Sequence, residues 1–86
     1  MKFSQASLLC FKTLVELTKN ERFVHISSKI IFEKIRDKYG YFELEDFPKD
    51  RHDVDILLEP YLRTNFVEPV IIKEEDGRFF TGYRVC

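Results

Sequence analysis

Val70-Ile71-Ile72-Lys73-Glu74-Glu75-Asp76-Gly77-Arg78-Phe79-Phe80-Thr81-Gly82-Tyr83 is the stretch on which the fold turns. Asp and Gly tolerate the positive φ of a type I′ turn, so Asp76-Gly77 between two β-prone runs reads as a two-residue hairpin loop. Such a loop sets the register: Glu75 opposite Arg78, Glu74 opposite Phe79, Lys73 opposite Phe80, Ile72 opposite Thr81 and Val70 opposite Tyr83. Opposite charges at Glu75 and Arg78 would reinforce it by roughly a few tenths of a kcal/mol.

Upstream of the hairpin, apolar residues recur at the helical period. Ala6, Leu9, Cys10, Thr13, Leu14 and Leu17 line one face of a first helix, with Ser4 as its N-cap and Asn20 as its stop. Leu8, Phe11 and Val15 add a second strip, so most of this helix is covered, within the domain or at an interface. Phe23-Val24-His25-Ile26 is a short strand-prone run. Ser27 or Ser28 then caps a second helix striped by Ser28, Ile31, Phe32, Ile35 and Tyr39, which Lys38 and Gly40 terminate.

From Tyr41 to Lys49, Phe42, Leu44 and Phe47 alternate with Glu43, Glu45 and Asp46 ahead of Pro48, as a short strand or an extended acidic loop. A third helix starts near Asp50, with Val54, Leu57, Leu58, Tyr61 and Leu62 in register and Thr64-Asn65 at its end. Pro60 predicts a kink or a break at Glu59, because its ring removes a hydrogen bond and crowds the preceding turn. The fold class is α+β: three helices, a short strand and a C-terminal β-hairpin in a single domain over residues 1–86.

At 86 residues, 44% hydrophobic and 15% aromatic, the chain supports one modest core and no cleft between domains, which disfavours an enzyme. It has neither an apolar run of about 20 residues nor a secretory signal pattern, so a cytoplasmic protein is expected, or a nuclear one in a eukaryote. Cys10 on the core stripe and Cys86 at the terminus give no disulfide framework and suit a reducing compartment. The net charge of −1 hides segregation: seven basic against four acidic side chains from Lys12 to Lys38, and two against six from Glu43 to Asp55.

Chemistry-bearing constellations are sparse. Asp50, His52, Asp53 and Asp55 are metal-ligand types, but one helical turn cannot point all four inward, and His25 lies apart in a strand-prone run. The glycines Gly40, Gly77 and Gly82 are isolated and form no phosphate-cradling loop. No nucleophile motif is present, so no metal, cofactor, small-molecule substrate or catalysis is expected.

The order of elements resembles the winged-helix superfamily over nearly all of the chain. That resemblance implies a third helix in the DNA major groove and a hairpin wing on phosphates. Carried onto this chain, it points to Arg51, His52 and Asp55 on the third helix and to Lys73, Arg78 and Arg84 on the hairpin. Lys29, Lys34, Arg36 and Lys38 of the second helix offer another basic surface, although Glu33 and Asp37 interleave it and a solvated face reads equally well. Two departures stand out: Asp50, Asp53 and Asp55 would face phosphates at an electrostatic cost, and the 41–49 connector exceeds a tight helix-turn-helix turn.

The reading is therefore a non-catalytic DNA-binding or transcription-related regulator with double-stranded DNA as partner. The alternative is a protein-interaction module, such as a small viral or mobile-element inhibitor of a host protein, or a homodimer. Its surface would use Phe79, Phe80 and Tyr83 on both faces of the hairpin, Leu8 and Phe11 left over on the first helix, and the acidic Glu43, Glu45 and Asp46. Against it, hairpin and first helix could simply bury one another.

Overall fold

Ser4 opens the first helix, α1 (Gln5–Leu17), by accepting the Ser7 amide on its hydroxyl at 3.0 Å. The computed structural model that places these atoms describes residues 4–19, 25–40 and 48–86. The expectations for Asn20, for Phe23-Val24 and for the Tyr41–Phe47 connector lie outside the described residues. Ala6, Cys10 and Leu14 of α1 are buried one turn apart, as the helical stripe requires.

A short strand β1 (Ile26–Ser27) leads directly into α2 (Ser28–Tyr39). Ser27 serves both elements: it sits opposite Gly82 in the sheet, and its hydroxyl accepts the Ile30 amide at 3.3 Å as the N-cap of α2. Ile31 and Ile35 carry the buried face of α2, and Gly40 ends the helix at φ 74. That positive φ is why a glycine stands there.

Helix α3 (Arg51–Arg63) begins at Asp50, whose carboxylate accepts the Asp53 amide at 3.0 Å. Asp53 returns the favour to the Lys49 amide at 2.7 Å, a variant of the reciprocal capping box. Val54, Leu58, Pro60 and Tyr61 are buried, and of the kink or break expected at Glu59 the break does not occur, because α3 runs through Pro60 to Arg63. Pro60 falls in the last turn, where a single amide is lost. Its ring is buried, and its carbonyl accepts the Thr64 hydroxyl at 2.9 Å. Asn65 then takes φ 63, with Asn65 N–H on the Leu62 carbonyl and Phe66 N–H on the Tyr61 carbonyl, a Schellman stop.

Strands β2 (Val67–Lys73) and β3 (Phe79–Val85) complete an antiparallel sheet in the order β1-β3-β2. The hairpin register differs from the expected one by one residue: Lys73 faces Phe79, Ile72 faces Phe80, Ile71 faces Thr81, Val70 faces Gly82 and Pro69 faces Tyr83. The cause is local. Asp76 does not enter the left-handed region; its carboxylate instead accepts the Arg78 amide at 3.0 Å, and only Gly77 of the turn has positive φ, at 87. The Gly77 amide donates to the Glu74 carbonyl at 2.9 Å and Glu74 N–H to the Arg78 carbonyl at 2.8 Å, giving a three-residue loop in place of a type I′ turn. The expected Glu75–Arg78 pair gives way to Arg78–Asp76 at 3.5 Å.

Pro69 lies on β2, an edge strand, where its missing amide leaves no ladder bond unmade. The core is one cluster that joins Cys10 and Leu14 of α1, Ile31 and Ile35 of α2, Val54, Leu58 and Tyr61 of α3, and Val67 and Tyr83 of the sheet. Every element contributes to it except the wing tip.

Candidate nucleic-acid interface

The start of α2, the start of α3 and the tip of the wing converge on an open cleft of about 1070 Å³. Six of the nucleic-acid candidates singled out from sequence reach it, Lys29 and Arg36 from α2, Arg51 and His52 from α3, and Lys73 and Arg78 from the wing, together with Phe80. Five cations meet five carboxylates there, Glu33, Asp50, Glu74, Glu75 and Asp76, so the cleft is mixed in charge. Several of these charges cancel in pairs. Arg51 Nη1 lies 2.6 Å from Glu74 Oε1, Arg78 Nε 3.5 Å from Asp76, and Asp50 serves as the helix cap. Among the described residues, Lys29 and Lys73 have no ion-pair partner.

Arg51 is thereby placed as a strut. Its guanidinium carbon stands 3.5 Å from the Phe80 ring centroid, its Nε reaches the Ser28 hydroxyl at 3.4 Å, and its side chain is 17% exposed. Asp55 does not face solvent freely either, because it accepts the Tyr83 hydroxyl. The three carboxylates that the sequence set against a DNA role each accept a hydrogen bond from within the chain: Asp50 from the Asp53 amide, Asp53 from the Lys49 amide and Asp55 from the Tyr83 hydroxyl.

The remaining basic candidates sit elsewhere. Lys38 approaches Glu16 of α1 at 4.0 Å, Arg84 pairs with Glu68 across the hairpin, and Lys34 is exposed on α2 outside the cleft. Arg36 also approaches Asp37 at 3.9 Å.

The aromatic surplus is largely consumed by the fold. Tyr83 is buried at 2% exposure, and Phe80 lies half-buried beneath Arg51, so neither forms part of an open surface. Phe11 stacks on Tyr61 with centroids 4.3 Å apart and meets Phe66 edge-on, which covers the middle residue of the second α1 strip. Leu8 and Val15 stay partly exposed, and Phe79 is exposed at 66%. Glu43, Glu45 and Asp46 lie outside the described residues.

Sequence reasoning missed Ile71, which shares a face with Phe79 once Ile71 is opposite Thr81 and Lys73 opposite Phe79. The two-residue loop had placed it on the other side. It also missed Ile56, the exposed apolar residue of α3, and Glu74, the partner of Arg51.

Burial pushes the Cys10 thiol up to about 12, with the Asp53 charge adding to it, so Cys10 is a neutral core residue. Burial and the bond to Asp55 likewise raise Tyr83 above its usual range. Among the described residues, no group of His, Cys, Asp and Glu is arranged to hold a metal ion, and no helix is long and apolar enough to cross a membrane.

No family model matches the chain, and no curated protein matches its sequence. A solved structure of a candidate transcriptional regulator from Thermoplasma acidophilum is similar in fold, with a TM-score of 0.65 and 20% identity over 94% of this chain and 68% of that one. The α+β arrangement of three helices and a three-stranded antiparallel sheet is thus one that a solved protein also adopts.

Proposed function

We propose that this chain is a non-catalytic DNA-binding module of the transcription-regulator type, which grips duplex phosphates at the cleft between α2, α3 and the wing. The observation that carries the reading is convergence: Lys29 of α2, His52 of α3, and Lys73 and Arg78 of the hairpin come from three separate segments and meet at one open concavity. The fold likeness to a candidate transcriptional regulator supports the same reading. With three of the five cleft cations, Arg36, Arg51 and Arg78, already beside a carboxylate, few phosphates are gripped. A slope of log affinity against log salt of roughly −2 to −4 follows, at about −0.9 per phosphate.

Anisotropy of a labelled random-sequence duplex, titrated at low and then physiological salt, tests it. The expected result is binding at low salt that the Lys29→Glu, Lys73→Glu double variant weakens, with the slope reduced by about 2. No binding at low salt would sink the reading. A second reading, a protein-docking module, draws on one observation, the neighbouring exposed side chains of Ile71 and Phe79 at 68% and 66%.

A further inference from the structure

Helix α3 turns His52, Ile56, Glu59 and Arg63 outward, at successive spacings of four, three and four residues, and all four are exposed. Glu59 and Arg63 neutralise each other at 2.6 Å, and the carboxylates beside this face are occupied, Asp53 by the Lys49 amide and Asp55 by the Tyr83 hydroxyl. What projects from the middle of the face is a bare aliphatic group, Ile56, at 65% exposure. One exposed isoleucine is ordinary in itself. This one sits a single turn along from His52, which lines the cleft that also holds Lys29 and Lys73, two cations without an ion-pair partner among the described residues.

That juxtaposition fits a duplex. A helix of about 10–12 Å diameter enters a major groove about 12 Å wide, and cations beside the helix then lie against the bordering phosphates. Within that groove only thymine presents a methyl group, which is the one base-edge feature an aliphatic side chain can recognise.

We propose that Ile56 is a specificity-determining residue that packs on the thymine C5 methyl, making the outer face of α3 a reader of thymine. The inference rests on the DNA-binding reading above and deepens it. Arg63 and Glu59 pair with each other at 2.6 Å, and what Ile56 itself adds is one buried methyl contact, about fourfold in affinity per thymine contacted.

The test uses the full chain, and duplexes selected by it from a randomised pool. Each thymine of a selected duplex is replaced in turn by uracil, which deletes the methyl and leaves the hydrogen-bonding edge intact, and affinities are compared for the wild type and Ile56→Ala. Thermal melting of the variant confirms the fold, which an exposed position should leave unchanged. The expected result is a loss of about fourfold for the wild type at one or two thymines and no loss for I56A at the same positions, a coupling that a merely structural role would not produce. A wild type that binds duplexes with salt dependence but is indifferent to uracil, a pool without thymine preference, or an I56A variant as sensitive as the wild type each overturns this inference alone. Failure to bind any duplex overturns the DNA-binding reading and this inference with it.

Discussion

The guanidinium of Arg51 lies flat enough on the wing for its central carbon to stand 3.5 Å from the Phe80 ring centroid, while its Nη1 meets Glu74 at 2.6 Å. One side chain thus ties the first turn of α3 to β3 at Phe80 and to Glu74, the residue that follows β2. It explains why a wing that contributes nothing to the core beyond its base keeps an orientation. Arg51, expected from the sequence as a DNA contact on α3, is engaged by three internal partners, Glu74, Ser28 and Phe80.

Arg51→Ala should therefore destabilise the protein by about 1–3 kcal/mol, since it uncovers Phe80 and leaves Glu74 without its cation. Arg51 Nη2 is buried without an acceptor among the described residues, which places the cost toward the lower end. Arg51→Lys should recover only part, because an ammonium lacks the planar face and fork. Urea denaturation decides it: an alanine variant as stable as the wild type would show that the wing is held by other contacts.

What was legible in the sequence was most of what depends on local period and capping. Ser4, Ser27 and Asp50 cap the helices, Gly40 and Asn65 stop two of them, and the α1, α2 and α3 stripes become the core. What was not legible depended on choices between nearly equal local options. Asp76-Gly77 can make either a two-residue or a three-residue loop, and the Asp76 carboxylate on the Arg78 amide selects the second, which moves Ile71 beside Phe79. The cleft was legible as a list of basic residues but not as a balance, because the pairing of Arg51 with Glu74 spans 23 positions and has no sequence signature.

The register makes a sharp prediction at Gly82. A Cβ there would stand 2.1 Å from Ile72 Cδ1, so Gly82→Ala must displace Ile72 and should cost about 1–3 kcal/mol. Combining it with Ile72→Ala, which vacates that space, should give a loss smaller than the sum of the two single losses. Under the two-residue register the positions would not be diagonal neighbours in this way, and additive losses would argue for it. Gly77→Ala, by contrast, meets no atom within 4 Å and should cost about 1 kcal/mol through backbone strain at φ 87 alone.

Stability should fall on the alkaline side. Cys10 is raised from 9.0 to about 12 and Tyr83 above 10.0, both by burial first, so the folded state holds protons that the unfolded chain releases. Their contribution is complete below 9.0 and is lost as pH rises from 9.0 toward 12, since the unfolded chain then binds fewer protons. Urea midpoints measured across that interval should decline. Cys10→Ala should flatten the early part and Tyr83→Phe the later part, whatever each does to stability at neutral pH. A midpoint that holds steady through the interval would contradict the buried, neutral state of both groups. Alkylation gives a parallel check, with exposed Cys86 modified in the native protein and Cys10 only on unfolding.

The protein-docking reading is decided at Ile71 and Phe79. Phe80→Ala would be a poor probe, because removing the ring beneath Arg51 loosens the hairpin itself. Ile71 and Phe79 instead are 68% and 66% exposed on one face, so Ile71→Thr with Phe79→Thr should change stability by no more than about 0.5 kcal/mol. Threonine keeps the strand preference of both positions while removing the apolar patch. If the patch docks a partner or a second copy, sedimentation of the double variant should lose any concentration-dependent association that the wild type displays, with melting temperature and DNA affinity both retained. A double variant that keeps its oligomeric state but binds DNA more weakly would assign the outer face of the wing to the nucleic acid.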